Sequence, residues 1–134
     1  MNKHNTYISI SIIALALIAS CKKPEGQGGR ASIQGKLLIR NYNNGFTILQ
    51  DTFYVAGENV FIMYGNETSV GDNVKTAPDG SFKFEYLRKG KYKIFVTSKD
   101  KQNPTFTGTI PVIKEVEITS NKQTVDVGDI VAYD

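Results

Sequence analysis

The chain has 134 residues with 16 basic and 13 acidic side chains, a net charge of +3, one Cys and no Trp. This length suits one domain with a single hydrophobic core, and the balanced charge argues against a nucleic-acid-binding protein, whose basic residues would cluster on one face. A single cysteine excludes a disulfide within the chain, and the sequence contains neither a GxxxxGK[ST] phosphate loop nor a strand–GxGxxG–helix unit.

Residues 1–20 have the pattern of a secretory signal peptide, with Lys3 in a short polar start and an apolar run that ends at Ala19. The run is too short to cross a bilayer as a helix, which needs about 20 apolar residues. The sequence at its end, Ile18-Ala19-Ser20-Cys21, resembles the lipobox of bacterial lipoproteins. The resemblance implies cleavage between Ser20 and Cys21, diacylglycerol on the Cys21 thiol, and an acyl chain such as palmitate on the new amino terminus.

Cleavage before Cys21 would remove His4, which is the only histidine, and the lipid would occupy the only cysteine. The mature chain would then lack the Ser-His-Asp and Cys-His pairs of nucleophilic catalysis. A zinc site would have to be built from carboxylates alone, which is rare. We therefore expect no enzyme activity, no metal, and no cofactor besides the covalent lipid on Cys21.

Residues 21–30 are predicted to form a lipidated, flexible tether, because the run after Cys21 is polar and contains three Gly and one Pro. Residues 31–134 show no useful helical periodicity. They show instead short period-2 runs separated by turn residues. This spacing predicts an all-β domain, an antiparallel β-sandwich of about seven strands.

The first predicted strand places Ile33, Gly35, Leu37 and Ile39 on one face, and Asn44-Gly45 favours a hairpin turn after it. Phe46–Val55 is predicted to be a second extended stretch. The run from Val60 to Tyr64 is apolar on both faces and predicts a central strand.

Pro78-Asp79-Gly80 is typical of a tight turn. The two strands after it have clear alternation, and the side chains predicted to point into the core are Phe82, Phe84, Tyr86, Tyr92, Ile94 and Val96. Phe106–Ile118 is predicted to be extended, and Pro111 marks it as an edge strand or a bulge. The last strand is predicted from Val125 to Tyr133.

The segment from Gly57 to Val96 resembles the carboxypeptidase regulatory-like domain, a transthyretin-like sandwich related to the pilin-type B repeats of surface proteins. The matching positions are Thr76, Asp79, Gly80, Phe82, Phe84, Leu87, Gly90, Tyr92, Ile94 and Val96. The resemblance implies this fold for about residues 31–131 and says little about function. Asn43–Ala56 is longer than the usual link between the first two strands, and we interpret it as an added hairpin.

Four aromatic residues of this additional region are candidates for a binding surface: Tyr42, Phe46, Phe53 and Tyr54. Aromatic side chains could stack on a sugar or pack against a protein partner. The alternative is that Phe53 and Val55 only cover the end of the sandwich. An open edge strand is a further candidate for protein binding.

Parts of the sequence could also suit an isopeptide bond or a calcium site. The pilin-type relatives carry Lys–Asn isopeptide bonds, and Lys36 with Glu85 could sit comparably. Glu85 has solvent-facing parity, however, and the last strand offers Asp126 and Asp129 rather than Asn. Calcium could bind where carboxylate loops meet, but turn-forming Asp is commoner. The candidate calcium ligands are Asp72, Asn73, Asp79 and Asp100.

We expect a non-catalytic, lipid-anchored accessory module that binds an envelope protein in an outer-membrane or surface assembly. The alternative is a carbohydrate-binding surface lipoprotein for glycan capture. Lys22-Lys23 after the cysteine does not resemble the Asp that retains lipoproteins at the inner membrane in some bacteria. The outer membrane is therefore favoured, with the periplasmic and surface-facing sides both open.

Overall fold

The computed structural model describes residues 23–134, and this part of the chain folds into eight β-strands without a helix. The predicted signal peptide, Ser20 and Cys21 lie outside the described residues. No described segment forms a helix with the length and hydropathy needed to cross a membrane. The strands are β1 (Gln27–Tyr42), β2 (Leu49–Tyr54), β3 (Asn59–Tyr64), β4 (Asp72–Lys75), β5 (Ser81–Leu87), β6 (Gly90–Ser98), β7 (Ile110–Ile118) and β8 (Thr124–Tyr133).

The strands form two four-stranded sheets, which confirms the predicted all-β sandwich with one strand more than expected. In the first sheet β1 is central. β8 lies along one side of β1, and β5 and β2 lie in succession along the other. The β1–β8 pair is parallel, with Leu37 opposite Ile130, whereas every other pairing among the described strands is antiparallel. This parallel pair arises because the chain crosses from the second sheet to the first between β7 and β8.

The second sheet has the order β4-β3-β6-β7, so β3 is a central strand, as its apolar faces predicted. β7 is an edge strand and carries Pro111, which also agrees with the prediction. The two sheets enclose one core, in which each strand contributes alternate residues. The fully buried core side chains include Ile33, Val60, Ile62, Leu87, Tyr92, Ile94, Val96, Ile118 and Ile130.

Tyr86 does not point into the core, contrary to the prediction from alternation. Its backbone φ is +59°, and its side chain is 70 % exposed. The local left-handed conformation breaks the period of β5, so Leu87 turns inward and is buried instead. The register with β1 shifts here too, because Leu87 lies opposite both Gln27 and Ala31.

The predicted tether is shorter than expected, because Gln27–Arg30 belongs to β1. Close packing in this segment requires a glycine at position 29. Gly29 lies so close to the backbone carbonyl of Leu87 that a Cβ there would collide with it. The Gly-rich composition that predicts flexibility therefore permits a close backbone approach instead.

The additional region does form a hairpin, since β2 pairs with the last part of β1. The turn is longer than a two-residue Asn44-Gly45 turn. The backbone N–H of Asn43 bonds to the carbonyl of Ile48, and Phe46 has a φ of +53°. The predicted extended stretch over Phe106–Ile118 forms a strand only from Ile110 onward.

Candidate functional site

The two ends of the sandwich are built differently. One end, called here the hairpin end, carries the β1–β2 loop (residues 43–48), the β6–β7 loop (residues 99–109) and the C-terminus. The other, called the anchor-side end because it follows the predicted lipid site at Cys21 in sequence, carries residues 23–30, the β5–β6 turn and the β7–β8 turn. β1 connects them, and its 16 residues span about 50 Å at roughly 3.3 Å per residue.

The hairpin end carries a cluster of three half-buried aromatic rings. Tyr42 and Phe46 are 5.6 Å apart between centroids, and Tyr133 lies 6.0 Å from Tyr42 and 6.5 Å from Phe46. The Phe46 and Tyr133 rings meet edge to face, an arrangement that aromatic pairs prefer. Two of the four predicted surface residues therefore lie together, with Tyr133 as a third member.

The backbone around the cluster is well bonded. The N–H of Tyr42 donates to the carbonyl of Asp134 at 2.8 Å, and the N–H of Tyr133 donates to Ser98 Oγ at 2.8 Å. In the loop, the Asn43 side chain accepts bonds from the backbone N–H groups of Thr47 and Ile48. The hydrogen bonds of the Asn43 side chain thus fix the conformation of the loop that carries Phe46.

Lys101 covers this cluster from the β6–β7 loop. Its Nζ lies 4.4 Å from the centroid of the Tyr42 ring and 5.3 Å from that of Tyr133, and it donates to the Tyr42 hydroxyl at 3.0 Å. The cation–π contact occupies one face of Tyr42. A ligand that stacked on this face would have to displace Lys101.

Exposed apolar side chains occur on the two loops of the hairpin end and at the start of β2. Ile48 is 63 % exposed, Leu49 48 % and Phe106 47 %. Single exposed apolar residues are ordinary, whereas several on neighbouring loops favour a binding surface.

Phe53 and Tyr54 lie on β2 and are not among the three rings of the cluster. Phe53 lies opposite Ile39, which packs against the core, and it lines a groove of about 280 Å³ together with Tyr133 of the cluster. Phe53 is 39 % exposed, so its ring remains accessible beside Tyr133.

Tyr54 makes polar contacts with the neighbouring strands. Its hydroxyl donates to Asp129 Oδ2 at 3.0 Å, and Lys36 Nζ lies 4.9 Å from its ring centroid. The bond to the Asp129 carboxylate raises the pKa of Tyr54. Tyr54 is therefore engaged by Asp129 and Lys36, whereas Phe53 shares a groove with Tyr133 of the cluster.

β2 has the least protected edge of the described strands. It pairs only with β1, and all six of its residues are exposed. It contains no Pro, Lys, Arg or Gly, and Asp51 is its one charged residue. The other edges carry protective features: Pro111 and charged side chains on β7, a length of only four residues in β4, and the irregularity at Tyr86 in β5. β8 also pairs only with β1, and Asp126, Asp129 and the positive-φ Gly128 interrupt its edge.

The residues weighed for calcium have other roles. Within residues 23–134 there is no group of three or more His, Cys, Asp or Glu side chains that could hold a metal ion. Asp79 accepts bonds from the Ser81 hydroxyl and backbone N–H, and these bonds lower its pKa. Asp72 accepts a bond from Gln27 Nε2, and Asp100 accepts one from the N–H of Gln102.

The residues weighed for an isopeptide bond lie on the surface. Lys36 Nζ is 3.8 Å from Asp79 Oδ2, and the two side chains are 44 % and 61 % exposed. Glu85 pairs with Lys83 at 3.5 Å. This agrees with the solvent-facing parity of Glu85, and such exposed pairs contribute little to stability.

Known proteins give limited guidance on this site. No known protein family matches the sequence, and no curated protein matches it either. The fold is similar to the crystal structure of a Pseudomonas aeruginosa protein to which carbohydrate binding is provisionally ascribed. The alignment covers 81 % of this chain and 91 % of that chain, with 15 % identity and a TM-score of 0.46. This similarity is too low to transfer a ligand.

Tyr133 in the aromatic cluster and Lys101 above it were not among the predicted surface residues. Tyr133 was expected to end the last strand, but only the parallel pairing of β8 with β1 brings it beside Tyr42. Lys101 lies 59 residues from Tyr42 in a polar loop. No local pattern predicts its contact.

Proposed function

We propose that this protein is a lipid-anchored, non-catalytic binding module of the bacterial envelope, and that its hairpin end binds a protein partner in an outer-membrane or surface assembly. The observation that carries the proposal is the concentration of exposed apolar side chains beside an unprotected strand edge, at Ile48, Leu49 and β2. An exposed edge of this kind risks aggregation unless a partner uses it.

The lipobox-like residues Ile18-Ala19-Ser20-Cys21 support the proposed lipid anchor. The direction of β1 then indicates which end of the sandwich would face away from that anchor. β1 begins six residues after Cys21 in sequence and ends at Tyr42, in the hairpin end. An anchored sandwich would present the hairpin end about 50 Å from the start of β1. Tethering at a membrane raises the effective concentration of such a surface near other envelope proteins.

We assign the sandwich to the carboxypeptidase regulatory-like class. Support comes from the residues that carry the resemblance: Asp79-Gly80 forms the turn before β5, and Phe82, Phe84 and Tyr92 are core side chains. A domain of this class needs no catalytic residues to serve as an accessory module.

The binding mode that fits β2 is strand addition. A partner segment in extended conformation would pair with the free backbone groups of Leu49–Tyr54, while Ile48 and Leu49 would contact its side chains. Main-chain pairing would supply affinity, and the apolar contacts would supply specificity.

Site-specific photo-crosslinking in intact cells tests this mode. A photoreactive amino acid replaces Leu49 or Gln50 on β2, and the matched control replaces Ile113 on the protected edge strand β7. Ile113 is 47 % exposed, which closely matches the 48 % of Leu49. We expect one discrete adduct from the β2 positions and none from position 113.

The control position makes the result decisive. Adducts of equal yield from β2 and β7 would indicate random collision and would contradict the assigned surface. No adduct from either β2 position across several growth conditions would count against a protein partner altogether.

A second candidate function is glycan binding, which the cluster of Tyr42, Phe46 and Tyr133 favours. Aromatic rings beside hydrogen-bonding groups are the usual surface for a sugar. A glycan array probed with the wild-type protein and with Tyr42→Ala tests it. Binding that Tyr42→Ala abolishes would support this function, and a flat response to all glycans would remove it.

A further inference from the structure

The anchor-side end holds the N-terminal segment firmly. The hydroxyl of buried Tyr92 accepts a bond from the N–H of Gly26 at 2.9 Å, and Arg88 Nη1 donates to the carbonyl of Pro24 at 3.0 Å. The Glu25 carboxylate accepts a bond from the N–H of Lys91 at 3.3 Å. The chain is therefore fixed to the sandwich from Pro24 onward.

This attachment leaves very little free chain before Cys21. Three peptide units separate the Cα atoms of Cys21 and Pro24, and they span at most about 11 Å. If Cys21 carries the lipid, the anchor-side end must lie within about that distance of the lipid headgroups. The inference below rests on this part of the proposed function.

The same end is rich in positive charge. An open cavity of about 1020 Å³ lies between the N-terminal segment, the β5–β6 turn and the β7–β8 turn. Two acidic side chains line it, Glu25 and Glu117. Five basic side chains line it as well: Lys23, Arg30, Arg88, Lys89 and Lys122.

One of these cations has an unused donor. Nε of Arg88 is shielded from solvent and has no hydrogen-bond partner among the described residues. Arg30, Lys89 and Lys122 are exposed residues, so their charges are free to approach another surface. The hairpin end is balanced in charge by contrast, because Lys99 and Lys101 offset Asp100 and Asp134 there.

We propose that the anchor-side end binds the phosphate groups of anionic lipids in the leaflet that holds the anchor. The lipid chains would fix the protein to the membrane, and the basic cavity would orient the sandwich end-on to it. Attraction between basic side chains and an anionic surface acts within a Debye length, about 8 Å at physiological ionic strength. The free segment spans at most about 11 Å, so it keeps the cavity within little more than one Debye length of the headgroups.

The test uses the full mature lipoprotein, purified from cells and inserted through its own anchor into nanodiscs. One set of discs contains phosphatidylcholine only, and the other contains equal parts of phosphatidylcholine and phosphatidylglycerol. Hydrogen exchange of residues 88–90 and 119–123 is the readout. We expect exchange at least threefold slower in the anionic discs, and we expect 0.5 M NaCl to reverse the slowing.

Two triple variants separate this contact from a general charge effect. Arg30→Gln, Lys89→Gln and Lys122→Gln together should abolish the slowing. The matched control changes three exposed lysines elsewhere, Lys75→Gln, Lys83→Gln and Lys114→Gln, and should retain it. All six positions are exposed, so both variants should keep the unfolding midpoint of the wild type.

Each other outcome has a definite meaning. Insertion into both discs with equal exchange would overturn the headgroup contact and leave the anchor intact. Insertion into neither disc would overturn the anchor and, with it, the contact. Equal slowing in phosphatidylcholine discs on addition of 10 mM inorganic phosphate would show a free-phosphate site and overturn the assignment to lipid.

Discussion

At the residue scale, Tyr92 joins the core to the N-terminal segment. Its ring is 1 % exposed and packs edge to face on Tyr64, while its hydroxyl donates to the carbonyl of Arg88 at 2.7 Å and accepts from the N–H of Gly26. The position was predicted to be a core residue, but its polar contacts were not. One hydroxyl thus forms hydrogen bonds with two backbone groups, one in the N-terminal segment and one in the β5–β6 turn.

Removal of this hydroxyl should weaken the fold. Tyr92→Phe leaves a buried donor and a buried acceptor without partners, which should lower the free energy of unfolding by about 1–3 kcal/mol. Chemical denaturation measures the change. Tyr86→Phe is the matched control, because its side chain is 70 % exposed and should change the free energy by less than about 0.5 kcal/mol. Equal effects of the two substitutions would contradict this role.

The same residue should make stability depend on alkaline pH. Burial raises the pKa of Tyr92 above the ordinary value of 10.0. The folded state then retains the proton more strongly, so stability is full below pH 10 and falls as pH rises from there toward the folded pKa. Unfolding free energies measured between about pH 9 and pH 11 should fall less steeply for Tyr92→Phe than for the wild type. Parallel curves would show that other groups cause the loss.

A glycine comparison tests whether the N-terminal run is structural. Gly29→Ala places a Cβ against the Leu87 carbonyl and should lower the free energy of unfolding by about 1–3 kcal/mol. Gly45→Ala is the control, because its nearest neighbour would be Thr47 Cγ2 at 3.8 Å, an ordinary contact. Thermal and chemical unfolding of both variants measure the difference. A neutral Gly29→Ala would mean that the segment is a free tether after all.

At the element scale, β1 organises the first sheet, because β8, β5 and β2 all pair with it. Among the three strands that pair with β1, only β2 has no buried residue. It therefore adds little to the core, and its sequence is free to serve binding.

This division predicts that binding and stability can be separated. The double variant Ile48→Ala, Leu49→Ala should change the free energy of unfolding by no more than about 1 kcal/mol, since both side chains are exposed. It should nevertheless lose the β2 adduct formed from position 50. Leu87→Ala, in contrast, should cost about 2–5 kcal/mol because the side chain is 1 % exposed. A double variant that is as unstable as Leu87→Ala would make β2 a structural strand.

Local sequence patterns predicted the individual strands of this fold better than the way in which the strands pair. Alternation identified the core faces of β1, β5 and β6, because one side of each strand is buried. It failed at Tyr86, where a positive φ shifts the period, and at Gln27–Arg30, where close packing needs glycine. The parallel β1–β8 pair depends on a crossover between sheets. For that reason the pair, and the Tyr42–Tyr133 contact that it creates, have no local sequence pattern.

At the scale of the whole molecule, the proposed anchor and the proposed binding surface lie at opposite ends of one rigid sandwich. A flexible tether would have let the domain rotate freely. Bonds from Pro24, Glu25 and Gly26 to the β5–β6 region instead attach the described part of this segment to the sandwich. The orientation of the module at a membrane would therefore be a property of its fold.

The anchor itself has a direct chemical test. Mass spectrometry of the protein extracted from membranes should give an N-terminal peptide that begins at Cys21 and carries diacylglycerol and an N-acyl chain. Cys21→Ala should remove both lipid masses, whereas Ser120→Ala, an exposed control, should leave them unchanged. An unmodified Cys21, or a peptide that begins elsewhere, would contradict lipid anchoring.

The central position of β1 has a mechanical consequence. A pulling force applied between the membrane and a partner bound at the hairpin end would act along the axis of β1. The backbone hydrogen bonds that join β1 to its parallel neighbour β8, and to β5, lie across this axis. They would be loaded together in shear, and many would have to break at once. Force that peels β2 sideways would open its bonds one after another, so the module would resist tension far better along its length than across its edge.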